Sequence, residues 1–280
     1  MIYGFDRLTI WFDVGQPPLP ISELRRHCTD VRLNYGQMPF NARWKSCISL
    51  SQPELRALRL LVDALGGTVA AHVGYAEIAA DMPCADAEQA QALQVRLLGA
   101  LRIPYGRDAV ICEHGTWYVD RRTHSLNSRR QPDRRAAHVR VIYADQPSKL
   151  NDARPLDGDP LVVHVEWRAS GAKALERLGI GSIGDLQHFD HAEFWHRAVQ
   201  LFALPGPTDL GRILADCADA DSDVSGTALR SRATRWRDAA SVDGVFVLHN
   251  ALRHTPNVAR RLKRVDWDTW WREMWQPMSG

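Results

Sequence analysis

Residues 161–168 read Leu-Val-Val-His-Val-Glu-Trp-Arg, and no other run constrains this chain as strongly. Side chains alternate faces along a strand, so Leu161, Val163, Val165 and Trp167 form a wholly apolar face. Val162, His164, Glu166 and Arg168 form the opposite one. Residues 73–81 carry a related pattern, with Val73, Tyr75, Glu77, Ala79 and Asp81 on one face and Gly74, Ala76, Ile78 and Ala80 on the other. Two carboxylates therefore share a face with one small residue between them. Side by side, the two strands gather Glu77, Asp81, His164 and Glu166. Carboxylates held that close repel each other unless a cation lies among them, and hard oxygens with one imidazole suit Mg²⁺ or Mn²⁺. The competing reading is a solvated face, because one side of an antiparallel sheet is often wet.

The rest of the chain punctuates clearly. Residues 5–14 predict a strand. Residues 51–65 predict a helix, with Ser51 and Glu54 as a capping box, a leucine stripe, and Gly66 as its stop. A strand over 69–82 ends at Pro83, and Asp86 caps a helix to about Leu101. Short strands follow at 109–114, 116–120, 138–145 and 161–168. From Gly171 the texture is helical, with candidates at 171–178, 191–202, 208–218, 226–239 and 266–276. The Leu-Pro-Gly-Pro segment at 204–207 divides an α+β body, 1–205, from a helical C-terminal extension, 206–280.

Composition excludes several classes. The 280 residues are 45% hydrophobic and 24% charged, an ordinary globular balance. No run of eighteen apolar residues exists, and Asp6, Arg7 and Asp13 interrupt the N-terminal apolar stretch, so neither a membrane span nor a signal peptide is expected. Five scattered cysteines form no CxxC pair, which predicts reduced thiols and a cytoplasmic setting. The formal charge is only +2, yet it averages an uneven distribution. Arg121, Arg122, Arg129, Arg130, Arg134, Arg135 and Arg140 stand within twenty residues against one acid, Asp133. Such a segment reads either as a grip on a phosphate backbone or as a solvated charge run. Tyr143 follows at once in His-Val-Arg-Val-Ile-Tyr. A tyrosine beside a basic loop and a metal-competent cluster can attack a phosphodiester and become covalently attached; taken alone it is a packing residue.

The order of these motifs resembles the single-tyrosine rolling-circle replication initiators of plasmids and filamentous phages. The matching strands are YAEIAAD (75–81), TWYVDRR (116–122), VRVIYAD (139–145) and HVEWRASG (164–171), followed by KALERLGIGSIGDLQHF. The resemblance covers roughly 70–205. It implies an antiparallel sheet of the HUH-endonuclease kind with packed helices. It also implies strand-specific DNA nicking through a 5′-phosphotyrosine, origin DNA as the partner, and recruitment of a host helicase. Carried over, Tyr143 matches the nucleophile, with Tyr118 in reserve. Asp81, Glu166 and Glu77 match the acidic metal positions, and His164 stands where the family has another acid. Arg168 and the arginines of 121–140 would hold DNA. One departure has a geometric consequence: Ile142 is inserted before the tyrosine, which turns Tyr143 to the opposite face from Arg140 unless a bulge intervenes. A non-catalytic DNA-binding regulator on the same fold is the alternative that this insertion favours.

Three weaker signals have plainer readings. His188, His191 and His196 do not align on one helix face and read as surface or structural histidines. Asp219, Asp221 and Asp223 mimic the opening of a calcium loop, but Val224 and Arg230 stand where glycine and glutamate are required. Trp267, Trp270, Trp271 and Trp275 follow helical spacing and predict a clamp for the last helix, with base stacking as a secondary use.

Overall fold

A computed structural model describes residues 1–36, 43–101, 111–113, 116–119, 138–148, 150, 161–199, 201–202, 212 and 263–275. The basic residues 121–135, the acidic triplet of 219–223, the expected helix at 226–239 and, apart from residue 212, that at 208–218 lie outside the described residues. By compactness the chain divides into two units: Met1–Ala90 with Ile111–Phe194, and Gln91–Val110 with Trp195–Gly280. That division falls ahead of the Leu-Pro-Gly-Pro segment.

The first unit is built on one eight-stranded sheet. Its strands are β1 (Ile2–Phe12), β2 (Asp30–Tyr35), β3 (Ser46–Ser51), β4 (Ala71–Pro83), β5 (Ile111–Glu113), β6 (Thr116–Val119), β7 (His138–Pro147) and β8 (Leu161–Ser170). They lie in the order β2-β3-β1-β4-β8-β7-β6-β5, and every neighbouring pair is antiparallel. The expected α+β class with an antiparallel sheet is therefore observed. The two carboxylate-bearing strands, β4 and β8, are neighbours at its centre, with Asp81 opposite His164, Ala79 opposite Glu166, and Glu77 opposite Arg168.

Two irregularities decide which side chains meet. The β1–β4 register shifts between Phe5 and Arg7, leaving Asp6 as the extra residue of a bulge. It shifts again between Thr9 and Ile10, where Gly74 is the extra residue on β4. A Cβ at Gly74 would lie 2.7 Å from the Trp11 indole, so the glycine makes room for that ring. The second shift corrects the simple alternation: Val73 pairs with Ile10 and so leaves the face of Tyr75, Glu77 and Asp81.

One face of the sheet is apolar and buried, with Phe5, Leu8, Ile10, Phe12, Ile78, Ala80, Val163, Val165 and Ile142 all below one-tenth exposed. Burying each large aliphatic or aromatic side chain of this set contributes roughly 1.5–3 kcal/mol. Helices α1 (Ile21–Leu24), α2 (Leu55–Leu65), α4 (Ala172–Arg177) and α5 (Ile183–Gln187) belong to this unit. Phe189 and His191 pack on Phe5, and Phe194 packs edge-on against Trp167. His191 thus has the structural role expected of it.

Gly66 ends α2 in a left-handed turn at φ +49°, as its position predicts. The Ser51–Glu54 capping box does not form. Ser51 is committed to the sheet between Arg7 and Asp30, so the helix starts later, at Leu55, after Glu54. Strands β2 and β3 carry no clean apolar alternation and are additions to the sequence reading.

The second unit holds most of α3 (Ala87–Ala100), whose first turn is capped by Asp86 Oδ1 accepting from the Gln89 amide at 2.7 Å. It also holds a two-stranded ladder of β9 (Leu201–Phe202) and β10 (Arg264–Val265), and helix α7 (Trp267–Trp275). Helix α6 (His191–Ala198) ends before 201, where β9 begins, so the expected helix over 191–202 is shorter. Trp267 stacks on Trp195 at 5.4 Å, and Trp270 lies 6.5 Å further along. The tryptophan spacing does hold the last helix by ring packing. No helix among the described residues is long and apolar enough to cross a membrane.

A buried carboxylate–histidine cluster as candidate active site

The other face of β4 and β8 is not wet where the charges lie. Asp81, His164, Glu166 and Glu77 are at most 2% exposed, which overturns the solvated-face reading. Burying an ion costs several kcal/mol unless hydrogen bonds replace its water, and here they do. His164 bridges two acids: Nδ1 bonds Asp81 Oδ1, and Nε2 lies 3.0 Å from Glu166 Oε1. Arg168 Nε donates to Glu166 Oε2 at 2.6 Å and lies 3.4 Å from Glu77 Oε1. Tyr75 Oη donates to Glu77, and Ser148 Oγ donates to Asp81. Leu150 lies against Gly4, so the chain leaving β7 covers this end of the face.

A fifth group comes from β1. The bulge at Asp6 brings its carboxylate across β4 to the residues of β8. Ligand atoms of Asp6, His164 and Glu166 all lie within 4.8 Å of one another, and all three residues are buried. Of the four expected metal ligands, His164 and Glu166 are in this group. Asp81 instead holds the Nδ1 side of His164, the position that orients an imidazole for a ligand on its other nitrogen. Glu77 is engaged by Tyr75 and Arg168, with the half-exposed Arg7 4.0 Å away. Asp6 was legible only as a charged residue inside an apolar strand. Tyr75 was legible as a neighbour of Glu77 on the same strand face, whereas Ser148 and Arg7 gave no signal beyond residue type.

Tyr143 stands opposite His164 in the β7–β8 register and stacks on its ring, with centroids 4.5 Å apart at 23°. It is 8% exposed. Arg140 faces the other way. It pairs with Trp167, carries its guanidinium 4.0 Å over that indole, and is buried on the apolar side. No register shift separates Arg140 from Tyr143, so the inserted Ile142 has its geometric consequence. The expectation that Arg140 grips DNA is corrected for that reason. Arg168, the other described arginine of that set, serves as counter-ion to Glu166 and Glu77. Tyr118 pairs with Val141 on the next strand out.

No family model and no curated protein matches this chain.

The electrostatics follow from burial and the shared partners. Burial alone would lower His164, but hydrogen bonds and charge from Asp81 and Glu166 prevail and hold it at about 9. Burial alone would raise Glu166, but His164 and Arg168 hold it down at about 2. Glu77 is pushed up to about 7 by burial and by the charge of Glu166. The Tyr143 phenol is raised well above its ordinary range by burial and then by Glu166, Asp6 and Asp81. The cluster therefore carries excess negative charge, and a protonated His164 stands among its acids.

A pH dependence follows. The His164 bridge is complete below its ordinary value of 6.5 and is lost as pH rises through about 9. Glu77 acts in the same direction between 4.5 and about 7. The metal-free protein is expected to lose up to roughly 3 kcal/mol from His164 across pH 6.5–9. Thermal melts at several pH values check this, and a midpoint independent of pH in that interval would contradict it.

A second group, His196, Asp266 and Asp268, is exposed. Asp266 there caps α7 by accepting from the Thr269 amide at 2.8 Å.

Proposed function

We propose that this protein is a metal-dependent, strand-specific DNA-nicking enzyme of the rolling-circle initiator type, with Tyr143 as its nucleophile. The single observation that carries the reading is Tyr143 stacked on His164 inside a buried group of acids. A phenol so placed resists ionisation unless positive charge is supplied, and the cluster is built to receive it. Asp6, Glu166 and His164 Nε2 would hold Mg²⁺ or Mn²⁺, with Asp81 fixing the imidazole; the imidazole among oxygens favours Mn²⁺. A bound divalent ion supplies polarisation of the scissile phosphate and compensation of the charge that develops there.

The chain's own residues do the rest. Tyr143 Oη attacks the phosphorus, a bond forms between them, and the bond from phosphorus to the 3′-oxygen breaks. The phenol proton, received by the acids facing the ring, ends on the departing 3′-hydroxyl. The 5′-phosphotyrosine conserves the bond for religation, so no nucleotide is consumed. The HUH-like character of the sheet and origin DNA as partner belong to the same proposal, as do the arginines of 121–135 as strand guides.

A second reading, a non-catalytic DNA-binding regulator, draws support from Arg140 and Tyr143 lying on opposite faces. The separating experiment incubates the protein with supercoiled origin plasmid and Mn²⁺ and resolves the products after detergent denaturation. The enzyme reading expects a nicked circle with protein covalently attached. Tight origin binding with no adduct at any Mn²⁺ concentration selects the regulator.

A further inference from the structure

We infer that Gln52 is a positioning residue for Asp6, holding its carboxylate in the metal-binding group; the inference rests on the metal reading above. Among the described residues Gln52 is the one non-glycine with positive φ, at +42°. It also precedes Pro53, which itself restricts the residue before it. A left-handed glutamine in that position is strained, and such strain persists only where surrounding contacts over-determine it.

Both ends of Gln52 are used on the same residue. Its backbone amide donates to the Asp6 carbonyl at 2.9 Å, and its side-chain amide donates to Asp6 Oδ1. The Thr29 hydroxyl donates to Gln52 Oε1, which fixes the NH₂ end of the amide toward Asp6. The Asp6 carbonyl is tied at the bulge, the point where the β1–β4 register slips. Gln52 therefore locks the bulge and orients the carboxylate that the bulge delivers. By engaging Oδ1 it leaves the carboxylate a second oxygen for a cation.

The test uses the full chain with Gln52→Gly, which removes both the strain and the amide, and Gln52→Asn. Asparagine tolerates the left-handed region but reaches one methylene less. Mn²⁺ affinity is read from the free-ion EPR signal, and metal-free stability from thermal melts. Both variants are expected to lose about tenfold in Mn²⁺ affinity, as loss of a ligand's hydrogen-bond partner does. Their metal-free midpoints should stay within a few degrees of the parent, because relief of strain offsets the lost amide. The bound-Mn²⁺ line shape should also change, which a purely structural role would not produce. Affinities within about twofold of the parent in both variants overturn the inference and leave the metal reading standing. Affinity that falls only together with the folded state also overturns it. A parent protein that takes up no Mn²⁺ overturns the metal reading and this inference with it.

Discussion

Replacing His164 with alanine is expected to destabilise the metal-free protein by roughly 3–5 kcal/mol near pH 6.5, the cost of removing one partner from a buried ionic group. Among the described residues the imidazole is the hydrogen-bonded link between Asp81 on β4 and Glu166 on β8, and both acids are at most 1% exposed. Without it, Asp81 retains the Ser148 hydroxyl and Glu166 retains Arg168, while the repulsion between the acids loses its intervening proton. The stacked ring under Tyr143 goes as well. His164→Gln should cost less, since an amide keeps a hydrogen-bonding group between the carboxylates. Urea unfolding measures both. A loss below about 1 kcal/mol for the alanine variant would show that the acids are neutralised some other way.

Tyr143→Phe separates chemistry from packing. The ring stacked on His164 is retained, so stability should change by no more than about 1 kcal/mol. Removing the attacking oxygen, by contrast, should lower adduct formation at least about 10³-fold, the scale seen when a nucleophile is deleted. Tyr118→Phe should leave the adduct intact. Undiminished adduct from Tyr143→Phe would move the nucleophile elsewhere, with Tyr118 the first alternative to test.

The pairing of these two substitutions reflects how the site is assembled. His164 serves the folded state through its bonds to Asp81 and Glu166. Tyr143 meets the same acids differently, because burial first and then their charge oppose its ionisation. The bonds whose loss costs stability also set the charge around the Tyr143 ring.

Period-two alternation put Glu77, Asp81, His164, Glu166 and Arg168 on the charged faces of β4 and β8, because successive side chains of a strand point to opposite sides of the sheet. The insertion of Ile142 likewise foretold that Tyr143 and Arg140 would part, since a strand without a bulge reverses side-chain direction at every residue. What alternation cannot convey is a break in its own period. Phe5 and Leu8, three apart, both point into the core, and the bulge between them exists only by virtue of pairing with β4. Asp6 enters the cluster through that bulge, and Gln52, distant in sequence, holds it there. Tertiary structure also decided that the charged face is buried, with residues after β7 covering its Asp81 end. Local pattern determines the direction of a side chain within a strand; which strands adjoin, where their register slips and what covers them are properties of the folded chain.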